Sequence, residues 1–329
     1  MAKQYSAVFP VGGGSSMGYK LAGYSVIGNC EIDKAMNDLY KLNNKPVFNY
    51  EMDIRKFIEI EEYPKELENL DILDGSPPCS TFSMAGQREE AWGKEKRFRE
   101  GQKKQTLDDL FFEFIKVADR LKPKVVVSEN VKGLIAGNAR GYVNEIIKGF
   151  DKAGYKVQVF LLNSAIMGVP QRRERVFIIG QRKDLKLNNL ILNFDEKPIL
   201  YKDFADSEYG QKLNTNTETF RRWQQRSITE KSVGDTVKHI KDGKVSGFTQ
   251  KYLKMNEVSR TLTAGSRPLR FDVPYFISDK DVITIQTFPQ DYNFNGEDPV
   301  YVCGMSVPPV MMAQISSEIY EQWLRGKDK

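Results

Sequence analysis

Residues 106–131 read TLDDLFFEFIKVADRLKPKVVVSENV, a helix pattern running into a strand pattern. Leu107, Leu110, Phe111, Phe114, Ile115, Ala118 and Leu121 recur at the three- and four-residue spacing of one helix face. Thr106 with Asp109 has the form of a capping box, and Pro123 stops the pattern just past its last apolar position. Val125, Val126 and Val127 then form a short apolar run that reads as a strand.

The same alternation extends to both sides. Strands are predicted at Tyr5–Phe9, Ser25–Cys30, Asp71–Leu73, Lys124–Ser128, Lys156–Leu162 and Arg175–Ile179, with helical pattern between them. Such alternation implies an α/β fold with a mostly parallel sheet and helices on both faces, whose ligands bind at the carboxyl ends of the strands. After Gly180 the pattern weakens. From Gln181 to Val258 there are 15 Lys or Arg against 11 Asp or Glu in a stretch rich in Asn, Gln, Thr and Ser, which reads as a separate lobe. A final helix is expected after Pro308-Pro309, on Val310, Met311, Ala313, Ile315, Ile319 and Trp323.

Composition removes several classes of chemistry. The 329 residues are 40% hydrophobic and 28% charged, as in a globular protein with room for one large domain and a smaller lobe. No apolar run has the length of a membrane span, and residues 1–10 lack the regions of a signal peptide, so a cytoplasmic protein without membrane contact is expected. Cys30, Cys79 and Cys303 are far apart, and His239 is the single histidine. No two of these four stand at zinc-ligand spacing, so neither a metal site nor a disulfide framework is expected. The net charge of +5 permits a nucleic-acid partner without requiring one.

Four short segments at strand ends could carry chemistry. Gly12, Gly13 and Gly14 follow the first strand, where glycine lets the backbone turn tightly and approach a ligand; a purely structural turn is the plain alternative. Glu31, 17 residues after Gly14, ends the second strand where a carboxylate can accept from ribose hydroxyls. Pro77-Pro78 would present the Cys79 thiol rigidly at the sheet's edge, accessible as a nucleophile must be. Glu129 stands at the end of the Val125–Val127 strand, where partial burial would suit a carboxylate to proton transfer; a solvated strand-end acid is the plain alternative. Alternation through Gln171-Arg172-Arg173-Glu174-Arg175 places Gln171, Arg173 and Arg175 on one side, as donors for an oxygen acceptor or a carboxylate, with exposed strand-edge charge as the plain alternative.

These segments, followed by Ile285-Gln286-Thr287-Phe288-Pro289 and Gly304-Met305-Ser306-Val307-Pro308, resemble in order the cytosine-5 DNA methyltransferase family, which uses S-adenosylmethionine. Val11, Ser80 and Met305 depart from the family's usual residues. The resemblance implies a Rossmann-like catalytic domain over residues 1–180, completed by 296–329, with a target-recognition domain and hinge at 181–295. It implies catalysis by Cys79, Glu129, Arg173 and Arg175: thiolate addition to C6 of a flipped cytosine, Glu129 on N3 and the amine, Arg175 on O2, and Arg173 supporting the thiolate.

For the cofactor, S-adenosylmethionine, the resemblance carries over Phe9, Gly12, Gly13, Gly14, Glu31, Ile32, Asp53, Ile54, Pro78, Leu110 and Ser306. The partner implied is double-stranded DNA, methylated at C5 of cytosine by a monomer that can accompany a restriction endonuclease. DNA contacts are expected from Ser83, Arg88, Lys94, Lys96, Arg97 and Arg99 in the catalytic loop, from Gln171, and from Arg221, Arg222, Arg226, Lys241 and Lys244 in the lobe. The long segment 181–258 favours DNA over transfer RNA, Cys79 favours C5 over an exocyclic amine as the acceptor, and the intact catalytic set favours an enzyme over a DNA-binding regulator of the same family that has lost catalysis.

Overall fold

The computed structural model describes residues 3–8, 11–77, 109–136, 140–241 and 249–326. In chain order these form β1 (Lys3–Val8), α1 (Gly14–Leu21), β2 (Tyr24–Glu31), α2 (Lys34–Asn44), β3 (Phe48–Glu51), α3 (Ile54–Ile58), α4 (Lys65–Glu68) and β4 (Ile72–Gly75). There follow α5 (Leu110–Leu121), β5 (Val125–Val131), α6 (Arg140–Lys152), β6 (Tyr155–Asn163), β7 (Gln171–Arg172) and β8 (Glu174–Arg182). The rest comprises α7 (Glu218–Gln224), α8 (Val233–Lys241), β9 (Tyr252–Leu253), β10 (Ser259–Arg260), β11 (Leu269–Arg270), α9 (Asp279–Gln286), α10 (Pro299–Met305) and α11 (Pro309–Ile319).

The chain divides into two compact units. The first contains residues 1–162, 174–192 and 313–329, and the second 163–173 and 193–312. These seams differ from those expected at Gly180 and residue 296. Residues 163–173 pack with the second unit because Gln171 and Arg172 pair with Ser259 and Arg260. The chain rejoins the first unit only at Ala313, partway along α11.

The first unit is built on a seven-stranded sheet of order β3-β2-β1-β4-β5-β8-β6. The pairs β2–β3, β1–β2, β1–β4 and β4–β5 are parallel, and β5–β8 is antiparallel. Strand order therefore reverses beside β1, which opens a crevice at the carboxyl ends of β1 and β4. Val125, Val126 and Val127 are all fully buried, so both faces of the central strands are covered.

Helix α5 carries the apolar stripe read from the sequence, with Leu110, Phe111, Phe114, Ile115, Ala118 and Leu121 buried. They pack in one core with Leu73, Val126 and Ile178 of the sheet and Ile146 and Phe150 of α6. The helix begins at Leu110, later than the capping-box reading: Asp109 sits at the N-cap without a side-chain cap, and Thr106 lies outside the described residues. At the other end Lys122 turns left-handed (φ 47°), and the Tyr155 hydroxyl donates to the carbonyl of Pro123 at 2.9 Å.

In the second unit, Leu213, Val233, Tyr252 and Leu269 form a core flanked by Phe220, Trp223, Phe271 and Phe276. No helix among the described residues is long and apolar enough to cross a membrane.

Candidate active site

The parallel pairing brings the ends of β1, β2, β4 and β5 to one edge of the sheet, and antiparallel β8 starts at that same edge. Arg175, second in β8, is in register with Val131, and Phe177 with Glu129. Arg175 and Glu129 are thus diagonal neighbours on one face, within reach of long side chains. The Arg175 Nε lies 2.9 Å from Glu129 Oε1, with side chains 14% and 13% exposed. Arg175 Nη1 donates to the Glu174 carbonyl at 2.8 Å, while Nη2 has no partner among the described residues. Burial lowers the Arg175 pKa, and the Glu129 carboxylate opposes that shift. The result is a carboxylate held in one orientation beside a free guanidinium N–H, an acceptor and a donor side by side at the strand end.

Asn130 faces the opposite way. Its Nδ2 donates to the carbonyl of Pro77 at 3.1 Å, and its Oδ1 accepts from the backbone of Val131 at 2.9 Å. The segment leaving β4 is therefore tied to β5. Gly75 is required there, because a Cβ at this position would come within 2.7 Å of the Phe114 ring. Pro78 and Cys79, which follow, lie outside the described residues, as do Ser83, Arg88, Lys94, Lys96, Arg97 and Arg99.

At the ends of β1 and β2 stand residues suited to a nucleoside. Gly12 (φ 65°) and Gly13 (φ 68°) are both left-handed, and α1 starts at Gly14. A Cβ on Gly13 would also lie 2.3 Å from Asn44 Nδ2. Glu31 is buried, its Oε1 accepting from the Asp33 backbone at 2.9 Å, while Oε2 is buried with no hydrogen-bond partner among the described residues. Burial pushes the Glu31 carboxyl up to about 7. Next to it Ile32 is 38% exposed, an apolar surface on which an aromatic base could lie.

Asp53 caps α3 through the Arg55 backbone at 2.8 Å and pairs with the Arg55 guanidinium at 3.2 Å. Ile54 and Leu110 are both core residues. Phe9 lies outside the described residues.

The other residues of the Gln171–Arg175 motif turn inward in the second unit. Arg173 is 2% exposed, and its Nη1 and Nη2 donate to the carbonyls of Leu262 and Gly304 at 3.0 and 2.9 Å. Gln171 is completely buried: its Nε2 donates to Gln286 Oε1 at 2.6 Å and its Oε1 accepts from Leu262 at 2.9 Å. A side chain so saturated has no donor left for DNA. Ser306 is buried, with Oγ donating to the Val302 carbonyl at 2.7 Å.

Residues 8–321 match the family described as C-5 cytosine-specific DNA methylase. The chain belongs to that family. As a DNA (cytosine-5-)-methyltransferase it is similar to the type II methyltransferase M.FnuDI of Fusobacterium nucleatum, at 28% identity over 98% of this chain and 95% of that protein. The orphan methyltransferase M.SPRI of Bacillus phage SPR is 33% identical over 68% of this chain and 46% of its own length. Among solved structures, one described as a DNA modification methyltransferase encoded within an E. coli prophage shares the fold with a TM-score of 0.69, covering 98% of this chain and 99% of that one at 18% identity. S. pombe Dnmt2 methyltransferase shares it with a TM-score of 0.61, covering 97% and 98% at 14% identity. The family takes its methyl group from S-adenosylmethionine.

Of the lobe cations expected to meet DNA in this methylase, Arg226 is committed to the protein. Its guanidinium lies 3.6 Å from the Trp223 ring centroid and 4.6 Å from that of Phe271, and its Nε donates to the Phe271 carbonyl at 2.7 Å. Arg222 pairs with Glu218 at 3.2 Å, and Arg221 is largely exposed. Lys241 ends α8 but its side chain is not described, and Lys244 lies outside the described residues. Sequence reasoning missed Asn130 as the tie to Pro77 and Gln286 as the partner of Gln171, although both stand inside motifs it had quoted.

Proposed function

We propose that this methylase modifies cytosine within a specific duplex sequence, with Glu129 and Arg175 forming the wall that reads the flipped base and Cys79 acting as the nucleophile. The observation that carries this reading is the Glu129–Arg175 pair, held at 2.9 Å at the end of β5, with Nη2 of Arg175 unspent among the described residues. Glu129 meets N3 and the exocyclic amine of cytosine, and Arg175 donates to O2. Together they draw electrons from the ring as the Cys79 thiolate forms a bond to C6, which leaves C5 nucleophilic. S-adenosylmethionine, when bound, supplies the electrophilic methyl group. The C5 proton then passes to water, the bond from Cys79 to C6 breaks, and the C5–C6 double bond returns.

The residues present fit that cofactor. Glu31 Oε2, buried and unpartnered, requires a donor such as a ribose hydroxyl, and exposed Ile32 beside it suits the adenine. The left-handed Gly12 and Gly13 turn the backbone tightly just ahead of α1. The second unit, which holds most of the mixed-charge segment 181–258, serves as the target-recognition domain, and DNA enters with its phosphates on exposed cations. Methylation-sensitive sequencing of DNA from cells producing the protein tests this reading. A single short motif fully methylated at cytosine C5 supports it; unmethylated DNA from cells holding soluble protein contradicts it.

A further inference from the structure

The two-stranded ribbon of the second unit has a face that the mechanism leaves unused. In this parallel pair Gln171 is in register with Ser259, and Arg172 with Arg260. Gln171 and Ser259 are 0% and 1% exposed, so side-chain alternation turns Arg172 and Arg260 together to the other face. Arg172 is exposed and Arg260 partly so. Registered partners on neighbouring strands lie about 4.8 Å apart, close enough for two guanidinium groups to share one anion. Among the described residues neither arginine has an acidic partner, and Arg260 Nε is buried with no hydrogen-bond partner. Like charges directly opposed across a ladder are destabilising unless something neutralises them.

The ribbon is also tied into its surroundings. Thr261 Oγ1 donates to the Arg172 carbonyl at 2.8 Å, Gln286 Nε2 donates to the Ser306 carbonyl at 2.7 Å, and Arg173 grips the carbonyls of Leu262 and Gly304. At Gly304 a Cβ would fall 2.4 Å from the Ala264 backbone nitrogen, so the packing leaves little slack. Two unpaired arginines on a fixed scaffold match a tetrahedral oxyanion better than a flexible lysine pair would.

We propose that Arg172 and Arg260 together clamp a phosphodiester group of the DNA backbone, a positioning contact without base specificity. The proposal rests on the reading of duplex DNA as the substrate. Arg172 stands three positions before Arg175 in the same motif, so the clamp belongs to the segment that also delivers the base-reading arginine.

Titrating fluorescent duplex with the full chain at several salt concentrations tests it. Arg172→Gln and Arg260→Gln should each reduce the slope of log affinity against log salt by about 1. Both should weaken binding to target and unrelated duplexes by the same factor, and Arg172→Lys should recover the slope. Affinity for S-adenosylhomocysteine should stay within about twofold of the parent, which excludes loss of fold. Unchanged slope and affinity in both glutamine variants would overturn the clamp alone. A parent protein with no salt-dependent duplex binding would overturn the reading of DNA as substrate, and the clamp with it.

Discussion

Asn130 donates its side-chain amide to the carbonyl of Pro77 at 3.1 Å, so the strand carrying Glu129 holds the chain two residues ahead of Cys79. The end of β4 that leads toward the proposed nucleophile is thereby tied to the strand that carries the proposed acid. Removing a buried donor leaves the carbonyl unsatisfied, at a cost of about 1 to 3 kcal/mol. Asn130→Ala is expected to slow single-turnover methylation by roughly 10- to 100-fold. Affinities for duplex and for S-adenosylhomocysteine should stay near those of the parent. A parent-like rate constant would show that the tie to Pro77 does not position Cys79.

The pair formed by Glu129 and Arg175 is largely shielded from solvent, and deleting one partner strands the other charge. Arg175→Ala is expected to destabilise the protein by about 3 kcal/mol and to abolish methylation. Glu129→Gln keeps the shape and a hydrogen bond, so its stability loss should be smaller while methylation still falls by more than about a hundredfold. Chemical denaturation alongside rate measurements separates the two effects. Equal stability losses in both variants, with activity retained in either, would contradict the assigned roles.

Cofactor binding should be linked to proton release at Glu31. With no ligand, burial holds this carboxyl protonated up to about pH 7, well above an unfolded carboxylate, so folded-state stability declines as pH rises toward that value and levels off above it. Hydroxyl donors at Oε2 favour the ionised form. Affinity for S-adenosylhomocysteine should therefore rise about tenfold from pH 6 to pH 8 and then level off. Calorimetry near neutral pH in buffers of different ionisation enthalpy should detect the proton, and Glu31→Gln should remove that component. Buffer-independent heats in the parent would rule the linkage out.

Much of the candidate site was legible because local rules govern it. The apolar run Val125–Val127 placed Glu129 at a strand end, and the glycines after β1 announced a turn that only left-handed residues make. Alternation alone put Gln171, Arg173 and Arg175 on one side, yet regular pairing lapses at Arg173. Arg175 meets Glu129, whereas Gln171 and Arg173 are drawn inward by Gln286, Leu262 and Gly304, residues about a hundred positions away. Arg226 looked like a free cation for the same reason. Its Phe271 partner is 45 residues distant, and no local pattern signals such a contact. The alternation that pointed Gln171 inward also pointed Arg172 outward, a consequence visible once Ser259 and Arg260 pair with them.

The most direct measurement uses duplex DNA carrying 5-fluorocytosine at the mapped target, incubated with the protein and S-adenosylmethionine and then denatured. Fluorine at C5 cannot leave as a proton does, so a covalent Cys79–C6 adduct should persist in near-stoichiometric yield. It should be absent in Cys79→Ala and form far more slowly in Glu129→Gln. An unmodified Cys79 after saturating incubation would falsify covalent catalysis at the edge that Glu129, Arg175 and Asn130 define.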